Sequence, residues 1–340
     1  MLYRLLRPLL FRLDPESAHA VSLKLLRWTG AFAPLRAAVR AGLSARGARS
    51  ARAFGLTLPN ALGLAAGYDK DGVAWRGLGC LGFGHVEIGT VTPRPQPGNP
   101  PPRLFRLPRE RSLINRLGFP SRGADFVAER LRGARGWGPI IGVNLGKQKE
   151  TPLERAAEDY ERLIDRFAPL ADYLVVNVSS PNTPELRRLQ EKERLGPLLE
   201  RLARRRSARG EELGRAVPLL VKLSPDLAPD ELEPALEVIL DAGLDGIIAT
   251  NTTTARPGLA SASAAEEGGL SGAALSETSA ACLRRIRERI GDKLPIIACG
   301  GVMGAGDARA RLEAGASLVQ LYTGLIYEGP ALVRRILRAI

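Results

Sequence analysis

Eight short apolar runs, each the length of one strand, recur along this chain, most of them with room for a helix in between. They lie at Leu62–Ala66, His85–Gly89, Ile140–Asn144, Tyr173–Val178, Leu219–Leu223, Gly246–Thr250, Ile296–Ala298 and Leu318–Tyr322. Helical spacing of apolar residues occupies Pro152–Phe167, Pro229–Ala242, Glu277–Ile290 and Ala308–Ala314. Several strands are apolar on both faces, the pattern of strands covered on both sides. Eight of them alternating with helices predict an α/β fold, a closed parallel (β/α)8 TIM barrel. A doubly wound open sheet is the alternative. The interval Thr92–Pro139 is too long for a simple βα connection, and it opens with the proline-rich stretch 93–102. An insertion over the barrel mouth is expected there.

The first residues keep a different rhythm. Leu2, Tyr3, Leu5, Leu6, Leu9, Leu10 and Leu13 are interspersed with arginines, and Pro8 should kink or divide that element. A second helix is expected over Ser17–Trp28, and the Gly-, Ala- and Arg-rich stretch 41–53 reads as a linker. The expected division is a helical segment 1–45 and a barrel 46–340. Residues 1–53 carry ten Lys or Arg against Asp14 and Glu16, a net of +8 out of the chain's +13. A basic, leucine-rich segment is attracted to anionic lipid headgroups, although an Arg-rich composition alone would give the same count. No apolar run approaches the ~18–20 residues of a bilayer span, and the arginines at 4, 7 and 12 argue against a signal peptide. Nucleic acid is not an expected partner: aromatic residues are 5% of the chain and no binding motif accompanies the charge. Cys80, Cys282 and Cys299 are odd in number and lack metal-ligand spacing, so disulfides, zinc and iron–sulfur centres have no support.

In such barrels reactive groups gather at the carboxyl ends of the strands. The first run leads into Gly67-Tyr68-Asp69-Lys70, the second ends at Thr90, the third at Asn144 and the fourth at Asn177-Val178-Ser179-Ser180. Lys222 lies in the fifth, Thr250-Asn251-Thr252 follow the sixth, Gly300-Gly301 the seventh and Tyr322-Thr323-Gly324 the eighth. Glycines after the last two strands point to a phosphate, because backbone N–H groups can approach the anion closely there. Residues 268–272 add another glycine loop. The GxGxxG spacing at Gly77–Gly82 is read as a helix-to-strand turn, since it precedes a strand instead of following one. With two histidines, no GxSxG elbow and no clustered metal ligands, hydrolytic and metal chemistries are disfavoured and an organic cofactor is expected. Lys70 and Lys222 are suited to stabilising negative charge on a reduced flavin ring, and the asparagines to reading amide and carboxylate edges.

Taken together, these motifs resemble the dihydroorotate dehydrogenase family from about residue 54 onward. They are AAGYDKDG at 65–72, PQPGNPPPRLFR at 95–106, INRLGF at 114–119, VNVSSPNTPELRRLQ at 176–190, VKLSPD at 221–226, TNTT at 250–253, GGLSG at 268–272 and LVQLYTGLIYEGP at 318–330. Within the family a cysteine serves as base in the first cytosolic class. Ser180 at the corresponding position implies the quinone-dependent class, as does an N-terminal extension containing DPESAH at 14–19.

The resemblance implies FMN contacts at Ala66, Gly67, Lys70, Thr90, Asn144, Asn177, Lys222, Thr250, Gly272, Gly301, Tyr322 and Thr323. It implies dihydroorotate contacts at Lys70, Asn115, Arg116, Leu117, Gly118, Phe119, Asn177, Asn182, Asn251 and Thr252. Ser180 becomes the catalytic base, aided by a relay through Thr183, and His19, Arg106 and Tyr322 match positions near the quinone. The implied partners are dihydroorotate and orotate, a membrane quinone and an anionic membrane surface, with the chain peripheral on the cytoplasmic face of the cell membrane. His85 is expected to be structural. Rival readings are a cytosolic enzyme of the same fold using fumarate or NAD, and a silent phosphate-ligand-binding barrel that docks on membranes.

Overall fold

A computed structural model describes residues 2–43, 45 and 47–340. Helices α1 (Leu2–Leu10), α2 (Pro15–Ala31) and α3 (Ala33–Leu43) come first, followed by a hairpin of β1 (Ala51–Ala53) and β2 (Leu56–Leu58). The barrel opens with β3 (Leu62–Leu64), α4 (Trp75–Gly79) and β4 (His85–Val91). An insertion supplies β5 (Leu104–Leu107), β6 (Ser112–Asn115) and α5 (Ala124–Leu131). The barrel resumes with β7 (Ile140–Leu145), α6 (Ala156–Phe167), β8 (Tyr173–Asn177), α7 (Lys192–Glu212), β9 (Leu219–Leu223), α8 (Pro229–Asp241) and β10 (Gly246–Ala249). After β11 (Gly269–Gly272) come α9 (Ser276–Ile290), β12 (Ile296–Cys299), α10 (Ala305–Glu313), β13 (Leu318–Leu321), α11 (Thr323–Glu328) and α12 (Ala331–Leu337).

β3, β4, β7, β8, β9, β10, β12 and β13 pair in parallel in that order, and β13 closes on β3. The eight apolar runs are therefore the eight barrel strands. Strand alternation explains their two-sided apolarity. Val86, Val143, Val176, Val221, Ile247 and Val319 belong to the core shared with the outer helices, while Tyr173, Val175, Leu220, Ile248, Ile297 and Leu318 fill the lumen. The hairpin contributes Phe54 and Leu58 to the lumen core, with the Phe54 ring 5.7 Å from that of Tyr173. The insertion and β11 form a three-stranded antiparallel sheet in the order β11-β6-β5.

The N-terminal region differs in detail from its sequence pattern. Pro8 lies inside one nine-residue helix and does not divide it. That helix is held to α11 by the Tyr3 hydroxyl on the Ile326 carbonyl and by Arg7 on the Tyr327 carbonyl at 3.0 Å. α2 starts earlier than Ser17 because the Asp14 carboxylate accepts from the Ser17 N–H at 2.9 Å, with Pro15 in the first turn. α3 occupies a stretch in which no helix was expected. It contains no fully buried residue, and only half-buried Val39 and Leu43 pack on the core, so its periodicity is weak. The stretch 41–53 is thus partly helix and partly strand; Met1, Ser44 and Arg46 lie outside the described residues, the last two beside the expected division at 45–46. Among the described residues no helix is long and apolar enough to cross a membrane.

His85, expected to be structural, fills space in the lumen that a Cβ on Gly63 would invade, at 2.1 Å from its ring. Both ring nitrogens are buried without a partner among the described residues, and burial pushes the pKa down to about 3 from 6.5. An unfolded chain protonates this ring near pH 6.5 and the folded chain only near 3, so the stability tied to the neutral ring is present above 6.5 and lost as pH falls toward 3. His85→Leu should remove that loss. In urea titrations the variant should gain on the native chain by up to about 1.4 kcal/mol per pH unit below pH 6.5. A difference independent of pH would contradict the assignment.

Candidate active site

A cavity, partly open to solvent, lies at the carboxyl end of the barrel. Barrel closure brings most of the sequence-predicted residues to its wall. Ala66, Gly67 and Lys70 follow β3, Thr90 lies in β4, Asn177 ends β8 and Ser180 follows it. Lys222 comes from β9, and Thr250, Asn251 and Thr252 follow β10. The insertion contributes Asn115, Leu117, Gly118 and Phe119, and the loop after β8 contributes Asn182. Gly272, Gly301, Tyr322 and Thr323 complete the wall.

Four of the predicted residues are not part of it. Asn144 is fully buried one layer below. The Arg116 side chain turns away to Glu266 at 2.5 Å and over the Phe105 ring at 4.6 Å. His19 and Arg106 stand on the side facing the N-terminal helices. The His19 ring meets that of Tyr68 edge-on at 5.0 Å, and Tyr68 meets Tyr322 at 5.8 Å, so three rings link α2 to the cavity. Arg106 donates to the Leu13 carbonyl at 2.8 Å and covers the Phe11 ring at 4.8 Å.

Amide side chains organise the floor. Asn177 Nδ2 donates to Thr90 Oγ1 and to Asn144 Oδ1, both at 3.0 Å, and Thr90 Oγ1 donates to the same Asn144 oxygen at 2.5 Å. Asn251 Nδ2 donates to Asn177 Oδ1 at 3.3 Å and to Ser179 Oγ at 3.0 Å. Asn182 Nδ2 donates to Asn115 Oδ1 at 3.0 Å, which ties the loop after β8 to the insertion. Two acceptors are left over: Asn182 Oδ1 and Thr183 Oγ1 are buried with no partner among the described residues. Since buried polar groups are normally paired, both mark places for a ligand or water. Ser180 is 5% exposed, and its Oγ accepts from the Asn182 N–H at 3.3 Å.

The electrostatics favour anions. Lys70 donates to the Gly67 carbonyl at 2.6 Å, and burial, partly opposed by Asp71 and Glu16, pushes its pKa down to about 8. Lys222 is buried more completely than Lys70 and lies 3.9 Å from the Cys299 sulfur. At the far end, Gly301 and Gly272 have φ of +71° and +95°. A Cβ on Gly301 would stand 2.2 Å from the Ser276 Cα, and one on Gly272 would stand 2.5 Å from the Arg111 carbonyl oxygen. Only glycine allows that backbone to line the cavity. The N–H groups of Gly301 and Val302 find no acceptor among the described residues.

Three features were not singled out from sequence. Glu87, fully buried in the lumen, accepts from Asn144 Nδ2 and Gln320 Nε2 at 2.8 Å each and from the Tyr173 hydroxyl at 3.4 Å. A carboxylate in the middle of an apolar strand was the available signal. Arg187, in the quoted ELRRLQ stretch, donates to the Ser179 carbonyl at 3.2 Å, the Thr252 carbonyl at 2.9 Å and Asp226 at 2.7 Å. It thereby ties together the ends of three strands. Tyr68, to which no role had been assigned, is the middle ring of the His19–Tyr322 series.

The sequence model of the family described as Dihydroorotate dehydrogenase matches residues 50–340. A protein of Azoarcus sp. (strain BH72), described as dihydroorotate dehydrogenase (quinone), is 48% identical over 340 residues, covering 100% of this chain and 98% of its own length. One of the same description from Azotobacter vinelandii is 48% identical over 341 residues, with 100% and 96% covered. Among solved structures, an Eimeria tenella DHODH crystallised with ferulenol superposes with a TM-score of 0.84 at 37% identity, covering 95% of this chain and 90% of that one.

The floor makes a direct prediction. Glu87→Leu removes the acceptor of two buried amides and should cost about 2–4 kcal/mol of stability, read by chemical denaturation. Glu87→Gln keeps an acceptor oxygen and should cost less. A fully stable Glu87→Leu variant would show that Glu87 does not anchor the amide layer.

Proposed function

The chain belongs to the dihydroorotate dehydrogenase family, in its quinone-dependent class, and from that premise we propose how its cavity works and where the molecule sits. Its activity is the quinone-dependent oxidation of dihydroorotate, a step of pyrimidine biosynthesis. The cofactor we assign is FMN. What carries this reading is the meeting, in one cavity, of a glycine-lined end, the half-buried Lys70 and the buried Lys222, neither with an ion pair among the described residues, and a fan of asparagine amides around Ser180.

FMN, when bound, supplies the two-electron acceptor between dihydroorotate and quinone. Gly272, Gly301 and Thr323 would hold its phosphate, with the Gly301 and Val302 N–H groups, which have no acceptor among the described residues, placed to donate. Ala66, Gly67, Thr90, Asn177, Thr250 and Tyr322 would flank its rings, with Asn144 supporting Thr90 and Asn177 from below. Lys70 and Lys222 would offset negative charge in the site, their effect enlarged by burial. Two-carboxylate, metal or histidine chemistry has no matching residues at this wall.

For dihydroorotate, Asn115, Asn177, Asn182, Asn251 and Thr252 offer amide and hydroxyl groups that fix the orientation of a planar ring bearing N–H and C=O edges. The unpaired Asn182 Oδ1 suits a ring N–H of the substrate. Lys70 would meet the substrate carboxylate, and the main chain of Arg116–Phe119 would roof the site and exclude water. Ser180 would take the C5 proton. A serine hydroxyl is a weak base and needs an outlet for its own proton. The buried, unpartnered Thr183 hydroxyl supports a relay there.

We assign residues 1–45 to membrane docking and quinone entry, and the remainder to the flavin barrel. The large apolar side chains that stand exposed among the described residues are all in the N-terminal helices and the turns between them: Leu5, Leu6, Leu9, Leu13, Val21, Leu25, Trp28, Phe32 and Leu35. Such a face gains by lying in the headgroup region of a bilayer, and the basic residues around it favour anionic lipid, on the cytoplasmic face of the cell membrane. His19, Tyr68, Arg106 and Tyr322 would border the quinone's path.

Ser180→Ala should slow anaerobic flavin reduction by dihydroorotate by roughly 10²–10⁴-fold while FMN stays bound, as followed by stopped-flow absorbance. Fast reduction would overturn the base assignment. Replacing Leu9, Leu25 and Trp28 together by Glu should abolish co-sedimentation with anionic lipid vesicles but leave turnover with a soluble quinone near that of the native chain. Unchanged vesicle binding would remove the membrane assignment.

A further inference from the structure

Arg311 on α10 is 5% exposed, yet it forms no ion pair among the described residues. Its Nη2 donates to the Ser276 carbonyl at 2.6 Å, to Ser279 Oγ at 3.0 Å, to Ser276 Oγ at 3.3 Å and to the Gly300 carbonyl at 3.4 Å. Asp307, one turn earlier on the same helix, attracts it from beyond ion-pair range, but that carboxylate accepts from the Met303 N–H at 2.8 Å. Arg284 repels it. A guanidinium so deeply buried is destabilising unless an anion completes its surroundings.

The groups that Arg311 holds form the back of the glycine-lined end of the cavity. Gly300 and Gly301 line the cavity, and Ser276 packs directly behind Gly301, where a Cβ would collide with it. In a trans peptide the C=O and the N–H point in opposite directions. Drawing the Gly300 carbonyl toward Arg311 therefore turns the Gly301 N–H away from it, toward the cavity, and that N–H has no acceptor among the described residues. The Ser279 hydroxyl also lies within donating reach of the Gly300 carbonyl, at 2.9 Å, and of the Ser276 carbonyl, at 3.0 Å.

We propose that Arg311 is a positioning residue for a phosphate monoester: from behind the cavity wall it fixes the Gly300–Gly301 peptide with its N–H forward, and the bound dianion completes its charge balance. It does not touch the ligand. The inference rests on the FMN reading above and deepens it, because it concerns the phosphate and not the flavin rings.

The test compares FMN with riboflavin, which has the same rings and no phosphate, on the flavin-depleted full chain by fluorescence titration. Arg311→Met should raise the Kd for FMN at least ~10-fold and that for riboflavin less than ~2-fold. Arg311→Lys keeps the charge without the planar fork and should raise the FMN value ~3-fold with riboflavin unchanged; it also decides the matter should the Met variant not fold. Equal weakening of both ligands, or no change in either, would overturn the proposal and leave Arg311 a packing residue. A native chain that binds riboflavin as tightly as FMN would overturn the phosphate reading itself, and this inference with it.

Discussion

Closing eight parallel strands into a ring forces their carboxyl ends to meet around one opening, and the site is built on what fills the ring beneath it. The lumen is layered. At the amino end the β1–β2 hairpin inserts Phe54 and Leu58 against Tyr173. Gly63 and Gly142 make room for the rings of His85 and Tyr173, which a Cβ at either position would meet at 2.1 Å. Above these rings, Glu87 collects donors from Asn144, Gln320 and Tyr173. Because Asn144 gives its amide hydrogens to Glu87, its oxygen faces upward to Thr90 and Asn177. One buried carboxylate thus sets the donor and acceptor directions of the cavity floor. Groups locked in this way need not reorganise when charge moves above them, which is how a polar site gains from being buried.

The barrel was legible because burial on both faces writes continuous apolar runs, and the site was legible because closure sends the residues after those runs to one place. Ser180, Asn177, Lys222 and Asn251 could be named without coordinates for that reason. What stayed hidden depends on side-chain direction and on partners remote in sequence. Arg116 follows Asn115 directly, yet Asn115 faces the cavity while Arg116 reaches Glu266. The insertion could be seen as a long interval, but its pairing with β11, more than a hundred residues away, could not. The glycines at 77–82 form a helix-to-strand turn between α4 and β4, as their spacing implies. Their physical reason needed the fold: a Cβ on Gly77 would stand 1.9 Å from the Leu26 carbonyl oxygen of α2. Arg187 and Arg311 carried no local signal, because each acts through carbonyls brought in from other elements.

The close contact of α2 with Gly77 gives the N-terminal helices a fixed seat. Gly30 packs there as well, with a Cβ at that position 2.7 Å from the Gly77 nitrogen. One side of these helices is thereby committed to the barrel, and the other presents Leu25 and Trp28 to solvent. Between the two sides runs the ring series His19–Tyr68–Tyr322, ending at the cavity. The same seat that orients an apolar face outward also joins it to the cavity wall. That arrangement is the one the proposed quinone path would use.

The most direct measurement is a visible spectrum of the purified full chain, recorded first alone, then after anaerobic addition of dihydroorotate, then after a soluble quinone. Flavin absorbance that bleaches with dihydroorotate and returns with quinone is the predicted result. A colourless chain that cannot be reconstituted with FMN, or a flavin that dihydroorotate leaves oxidised, would contradict the central claim.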